Sequence, residues 1–263
     1  MLCEVLILLV SATHVDILLI QMFRNASETG YYKAAMVVSG FVTFAPVAIQ
    51  VAFVHLTSEL WDKGNTEDIT RLTSRATKYN LLLAGLVTIG IASLSQEFVP
   101  FYFGSDYTPA IPAILVLLPG TLALAIARPI IATGQGSGRL RILVRFLAVA
   151  SLINLIGNVL LIPKMGIIGA AIATSVGYGS ILFFAIIGAR KIGFDPLHGL
   201  SFIRLTGTLA ISSITIYSFA SIIESNILSL ILVPVVGGVI FLGISLAFKS
   251  VKISELRQFM NQS

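Results

Sequence analysis

Long apolar stretches recur along the chain at the length of membrane-spanning helices. A helix needs about 20 apolar residues to cross roughly 30 Å of hydrocarbon, and the sequence holds eight such stretches. They cover residues 2–22, 31–58, 77–99, 109–133, 139–162, 165–189, 202–223 and 227–248. The pattern predicts an all-α, polytopic membrane helix bundle. We interpret the first stretch as a true span, because acidic Glu4 stands where a removable leader carries basic residues.

The composition agrees with this prediction. Hydrophobic residues make up 56% of the chain, charged residues only 11%, and the mean hydropathy is +0.96. An ordinary soluble domain has about 25% charged residues. Cys3 is the only cysteine, which excludes an intramolecular disulfide and a cysteine-based metal site. We expect neither a metal nor another cofactor.

Positive charge lies mostly on one side of the predicted bundle. If the spans alternate in direction, Arg24, Lys33 and Lys164 fall on one side, and the other 14 of the 17 Lys and Arg residues fall on or near the opposite side. Cytoplasmic loops carry an excess of Lys and Arg, so both termini are expected in the cytoplasm of a multi-pass cell-membrane protein. Anionic inner-leaflet lipid accounts for the excess of basic over acidic residues in the chain, and we expect no nucleic-acid partner.

Asp16 is the leading functional candidate, since it lies in the middle of the first span. An ionised carboxylate there costs about 2.5–3.5 kcal/mol unless it meets water, a partner or a cation. It shares a helix face with Thr13 and Arg24. The alternative is a structural carboxylate, neutralised by a proton or by an Arg from another helix.

The second span carries a polar stripe at helical spacing, which predicts one face turned towards a cavity or towards other helices. A seam of small packing residues is the alternative. The stripe comprises Tyr32, Ser39, Thr43, Pro46, Gln50 and Thr57.

Three further polar residues are candidates for lining a substrate path. Asn154 and Asn158 share a face of the fifth span, where their amides can bind sugar hydroxyls or a neighbouring helix. Arg128, in the fourth span, can bind an anionic phosphate; extension to the cytoplasmic interface is the favoured alternative.

The small residues of the sixth span predict a helix-packing surface, because they allow two helix backbones to approach closely. These residues are Gly166, Gly169, Ala170, Ala173 and Gly177. The seventh and eighth spans lack ionisable residues near mid-membrane and are expected to flank the working bundle.

The connections leave little room for a folded domain outside the membrane. The longest, Glu59–Asn80, is predicted to form an interfacial helix, with a solvated linker as the alternative. The glycine-rich stretch 133–139 follows a membrane helix and lacks a Lys-Ser or Lys-Thr pair, so it indicates a hairpin and not a nucleotide site. No set of nucleophile, base and metal ligands converges at either interface, and we expect no enzyme activity.

Several segments resemble the polysaccharide-biosynthesis flippases, which export lipid-linked oligosaccharides and belong to the multidrug/oligosaccharidyl-lipid/polysaccharide exporter superfamily. The similarity is carried by residues 160–174, preceded by Asn154 and Asn158 and followed by Tyr178. Residues 15–20, 30–35 and 103–107 match that family's second half in order and spacing.

The resemblance implies that residues 1–190 form a C-terminal six-helix lobe and residues 191–263 two additional helices with a cytoplasmic tail. Family members have two lobes around a central cavity, and no counterpart of the first lobe is present in this sequence. We therefore expect an N-terminal lobe or a second copy of the chain as a partner.

The resemblance also implies the function. The main hypothesis is a flippase component that moves lipid-linked oligosaccharide or polysaccharide precursors by alternating access. A cation-coupled drug or metabolite antiporter of the same superfamily, with Asp16 binding Na⁺ or H⁺, is one alternative. A non-transporting remnant or scaffold is the other.

Overall fold

The fold of the chain is described from a computed structural model. The structure describes residues 15–223 and 226–251, and within these ranges every regular element is helical. The helices are α1 (15–23), α2 (Ala26–Asp62), α3 (Thr66–Phe103), α4 (Ile111–Gly136), α5 (Leu140–Met165), α6 (Ile167–Ile192), α7 (Phe202–Ala220) and α8 (Asn226–Ala247). A short 3₁₀ helix, Ser105–Ala110, precedes α4.

The predicted helical membrane bundle is confirmed. Seven helices, α2 to α8, are long and apolar enough to span a bilayer, if the 3₁₀ turn is counted with α4. Most of the first predicted span, including Thr13, lies outside the described residues. The chain is therefore a multi-pass membrane protein.

Helix α4 lies at the centre of the bundle and has the largest buried share of any spanning helix described. It packs against α2, α3 and α5. Pro129 has no N–H to donate to the Ala125 carbonyl one turn earlier. Asn80 of α3 replaces that donor, since its Nδ2 donates to the Ala125 oxygen at 3.2 Å. A proline inside a membrane helix is tolerated where a neighbour satisfies the freed carbonyl in this way.

The connection between α2 and α3 differs from the prediction. No separate interfacial helix forms in Glu59–Asn80, because both flanking helices continue through the polar segment and leave only a turn at residues 63–65. Gly64 takes a positive φ of 68° in that turn. Asn65 then caps α3 by accepting a hydrogen bond from the Asp68 N–H at 3.1 Å. The cap at Asn65 therefore starts α3 inside the polar segment, where the amphipathic pattern had predicted a separate helix.

Trp61, at the end of α2, fixes this turn to the rest of the bundle. Its Nε1 donates to the Thr133 carbonyl of α4 at 3.1 Å, and its ring packs edge-on against Phe194 with centroids 6.1 Å apart. The end of α2 is thus joined to the end of α4 and to the segment after α6.

Helices α5 and α6 meet at a sharp kink, which falls at Gly166 with φ 57° and ψ −135°. A side chain is strongly disfavoured in this conformation. A Cβ there would lie 2.5 Å from Glu28 Oε2 and 2.9 Å from Arg24 Nη2. The Arg24–Glu28 ion pair, 3.4 Å long, therefore rests directly on the backbone of the kink.

The orientation of the bundle leads to a first testable prediction. In a chain whose Cys3 is replaced by Ser, we expect Ser105→Cys to react with a membrane-impermeant maleimide in intact cells. Lys63→Cys, at the opposite end of α3, should react only after the cells are opened, because the positive-inside rule places the α2–α3 turn in the cytoplasm. The reverse labelling pattern would show that the orientation is inverted.

Candidate functional site

A buried polar network joins four helices, with Asp16 of α1 at its centre. Asp16 is fully buried. Its Oδ2 accepts hydrogen bonds from the Tyr32 hydroxyl of α2 at 2.6 Å and from the Thr174 hydroxyl of α6 at 3.2 Å. Its Oδ1 accepts from the Ile17 N–H at 3.0 Å. Three donors thus converge on one carboxyl group, and these hydrogen bonds favour its ionised form against the burial that disfavours it.

The network continues into α5 through two amides. Asn154 Nδ2 donates to Thr174 Oγ1 at 3.4 Å, and Asn158 Nδ2 donates to Asn154 Oδ1 at 3.1 Å. Every donor in this series points towards Asp16, so the hydrogen bonds polarise one another in the direction of the negative charge. The far end is incomplete, because the buried Asn158 Oδ1 has no hydrogen-bond partner among the described residues.

Close packing of α6 on α5 positions the amides. Gly177 lies against the Asn154 side chain, so a Cβ there would be 2.7 Å from the Asn154 Cβ. Gly169 lies against the Leu161 carbonyl, and Ala173 contacts Gly157. These three small residues of α6 recur at every fourth position along its contact with α5. Ala170 is also fully buried.

The sequence candidates separate into three groups in space. Asp16, Tyr32, Asn154 and Asn158 belong to the network. Gln50 and Arg128 form a second contact, with Arg128 Nη1 donating to Gln50 Oε1 at 2.8 Å. Ser39 and Thr43 join neither group, because their hydroxyls donate to backbone carbonyls of their own helix α2.

The stripe on α2 is largely turned into the protein. Tyr32 and Thr57 are fully buried, Ser39 is 1% exposed, and Pro46 is buried. Thr57 packs on Gly136 of α4. The stripe therefore makes polar contacts at Tyr32 and Gln50 and packs against α4 at Thr57.

Thr174 is the residue of this network that the sequence analysis did not single out. It stood in a row of small packing residues, yet its hydroxyl connects the carboxylate to the amides. Its position four residues after Ala170 and four before Tyr178 placed it on a buried face. A hydroxyl among glycines and alanines on that face was the feature of the sequence that could have indicated a polar contact at Thr174.

The structure also contains an apolar cavity of about 600 Å³. Its walls come from α2, α3, α7 and α8. They include Val38, Phe41, Leu94, Phe98, Ile216, Leu230, Val233 and Pro234. The α7–α8 pair was expected to contribute little, but the structure gives it one side of this cavity.

The polar network does not have the composition of a metal-binding site. Within residues 15–223 and 226–251, no three His, Cys, Asp or Glu side chains lie close enough together to hold a metal ion. The network instead offers one carboxylate, two hydroxyls and two amides.

Comparison with known proteins gives this arrangement a family context. The chain is 28% identical to the probable low-salt glycan biosynthesis flippase Agl15 of Haloferax volcanii over 62% of its length, and 26% identical to the probable flippase AglR of the same organism over 81%. The chain is thus similar to proteins named as probable flippases. It is also 28% identical to the uncharacterized membrane protein MJ1068 of Methanocaldococcus jannaschii over 88% of its length. No protein-family model matches the chain.

The fold comparison agrees. The structure of the lipid II flippase MurJ, in an inward closed conformation, superimposes with a TM-score of 0.76 over 92% of this chain at 17% identity. The chain spans only 51% of MurJ, 46% of MJ1068 and AglR, and 34% of Agl15. It thus corresponds to about half or less of each of these proteins.

Proposed function

We propose that the chain is a component of a flippase that moves lipid-linked oligosaccharide or polysaccharide precursors across the cell membrane. The observation that carries the proposal is the presence of an apolar cavity and a buried polar network in one helical bundle, in a chain similar to proteins named as probable flippases. A lipid-linked glycan combines a long apolar tail with a polar head. The lobe offers an environment for each part.

The apolar cavity supports binding of the tail. Its volume of about 600 Å³ is in the range of small-molecule sites. Phe41 and Phe101 stand at its rim among the exposed large hydrophobic residues. An isoprenoid chain can occupy it from the surrounding bilayer without crossing a polar surface.

The polar network supports conformational coupling. Asp16 connects α1, α2 and α6, so any change in its charge or partners acts on all three helices. A proton, a cation or a polar group of the substrate that reached this carboxylate would alter the same hydrogen bonds. Alternating access by rocking of repeats around a central site requires such a shared element.

A partner completes the proposed transporter. One lobe provides one wall of a path, and the structures of transporters built from repeats place the substrate site between the repeats. An N-terminal lobe or a second copy of this chain would supply the other wall. The proposal places both chain termini in the cytoplasm.

Deletion of the gene in its native organism tests the proposal. We expect surface glycan to be lost and the lipid-linked precursor to accumulate on the cytoplasmic leaflet, because synthesis continues while translocation stops. The measurement is mass spectrometry of extracted lipid-linked oligosaccharides together with surface-glycan staining. A plasmid-borne copy is the control and should restore both. Unchanged surface glycan and unchanged precursor levels in the deletion strain would contradict the proposed function.

A further inference from the structure

Three cations lie near one another on the surface of the bundle, at one end of α5 and α6. Arg141 and Arg145 are exposed and share a face of α5, four residues apart. Lys191 of α6 is also exposed, and its Nζ lies 5.3 Å from the ring centroid of Phe146, the residue after Arg145. Phe146 in turn stacks on Phe184 of α6, with centroids 5.6 Å apart. Arg141, Arg145 and Lys191 are called the cationic surface below.

No acidic side chain of the neighbouring helices neutralises the cationic surface. The sequence has no Asp or Glu between Asp106 and Asp195, so α4, α5 and α6 carry none. Asp195 forms its ion pair with Arg190, at 3.6 Å. Among residues 15–223 and 226–251, the ion pairs involve other cations and leave these three without one. The two arginines also repel each other, because like charges four residues apart on a helix are unfavourable. An anion from outside this part of the chain would relieve that repulsion.

The cationic surface lies at the depth of lipid headgroups. At 1.5 Å per residue, Arg145 is about 29 Å along α5 from Lys164, close to the roughly 30 Å thickness of the hydrocarbon core. The positive-inside rule assigns the Arg145 end to the cytoplasmic leaflet. Arg141 lies one helical turn beyond Arg145, within the polar headgroup region.

An exposed apolar ridge continues from Arg145 into the membrane on the same face of α5. Val149, Leu152 and Ile156 follow at steps of four, three and four residues, and they are 44%, 54% and 50% exposed. The ridge ends about 16 Å from Arg145, which is close to half the thickness of the hydrocarbon core. A cationic end and an apolar ridge one leaflet long match the two parts of a phospholipid.

We propose that the cationic surface binds one phospholipid with a negatively charged headgroup from the cytoplasmic leaflet. The headgroup compensates the three cations, and an acyl chain lies along the ridge of Val149, Leu152 and Ile156. Charge complementarity favours an anionic lipid, because a zwitterionic headgroup brings a cation of its own to a surface that already holds three. Basic clusters on the cytoplasmic side of membrane helices recognise anionic headgroups through the same attraction. The site is on the outside of the bundle and does not depend on the proposed function.

Native mass spectrometry of the purified chain tests the assignment. Wild type, Arg141→Gln/Arg145→Gln and Lys191→Gln are titrated with phosphatidylglycerol and with phosphatidylcholine of the same acyl chains. We expect wild type to prefer phosphatidylglycerol, and the double variant to bind it about ten-fold more weakly, because two of the three cations at the headgroup are lost. Lys191→Gln should fall between the two. Lys63→Gln/Arg204→Gln removes two exposed cations elsewhere, and this matched control should bind as wild type does.

Thermal unfolding separates lipid binding from an effect on the fold. In lipid-free detergent, the double variant and the control should unfold at the wild-type midpoint. Added phosphatidylglycerol should raise the midpoint of wild type and of the control, but not that of the double variant. If the double variant does not fold, Arg141→Lys/Arg145→Lys and Lys191→Gln decide the question. The first keeps both charges and should bind as wild type does, and unchanged phosphatidylglycerol affinity in the second would contradict the proposal.

Four further results would overturn the inference. Equal affinity of wild type for the two lipids would show that headgroup charge is not recognised. An equal loss of binding in the control would show that binding follows net charge alone. Competition by inorganic phosphate as strong as that by phosphatidylglycerol would show a site for a free anion. Wild-type dimers that exclude phosphatidylglycerol would reassign the surface to a contact between two copies of the chain.

Discussion

Asp16→Asn is expected to abolish surface glycan in a complementation assay while the protein stays in the membrane at its normal level. Asn keeps the size of the side chain and can still accept the Ile17 N–H bond through its amide oxygen. It removes the negative charge towards which the Tyr32 and Thr174 hydroxyls donate. Glycan export below about a tenth of wild type corresponds to roughly 1.4 kcal/mol or more of lost differential stabilisation.

The amide substitution separates a functional charge from a structural one. Tyr32 and Thr174 can rotate their hydroxyls and accept hydrogen bonds from the new NH₂ group, so the fold does not depend on the charge. The measurement is surface glycan together with the amount of protein in isolated membranes. Glu97→Gln, which removes a carboxylate from α3, is the matched control and should export glycan normally.

Two outcomes would contradict the prediction about Asp16. Normal glycan in Asp16→Asn would show that the charge is dispensable. Loss of the protein from the membrane would show that the carboxylate is a structural element of the four-helix network. In the second case Tyr32→Phe, which removes one of the three donors, should also lower the protein level.

Gly169→Ala is expected to destabilise the helical bundle strongly, whereas Gly179→Ala on the same helix is not. A Cβ at Gly169 would lie 2.4 Å from the Leu161 carbonyl oxygen, and backbone cannot move aside as a flexible side chain can. Overpacking of this kind costs about 1–3 kcal/mol. A Cβ at Gly179 meets nothing within 4 Å, and replacing a helical Gly by Ala gains about 0.5–1 kcal/mol.

Thermal unfolding in detergent measures the difference between these two glycine variants. We expect a lower midpoint for Gly169→Ala than for wild type, and a midpoint equal to or above wild type for Gly179→Ala. Equal midpoints for the two variants would show that α6 shifts away from α5 at little cost. The close contact of the two helices would then not be a determinant of stability.

Much of the fold followed from hydropathy alone. Residues 31–58, 109–133 and 165–189 were predicted as spans, and the bounds of α2, α4 and α6 differ from these by a few residues at each end. Length and apolarity decide such spans because every backbone polar group in a bilayer must be satisfied within its own helix. The turn at residues 63–65 was missed because its cap at Asn65 is a local signal within a long polar segment.

The site was only partly predictable from sequence. Asp16, Asn154 and Asn158 were each identified, because a polar group in a predicted span is costly and therefore draws attention. Thr174 contacts Tyr32, which lies 142 positions earlier in the chain, and Asp16, which lies 158 positions earlier. Nothing in the sequence indicated these two contacts. Helical periodicity orders residues on one helix but does not give the rotation of that helix against its neighbours.

The sequence by itself determined that this protein is a helical membrane bundle, and it predicted which polar residues lie within the spans. Tertiary structure alone decided that Asp16 accepts hydrogen bonds from two other helices and that Arg128 donates a hydrogen bond to the neutral Gln50. It also decided that α7 and α8 form one wall of an apolar cavity. The physical reason is that hydropathy predicts each membrane helix from its own residues. Which side chains of two helices face one another depends instead on how closely those helices approach, and small residues such as Gly169 and Gly177 set that distance.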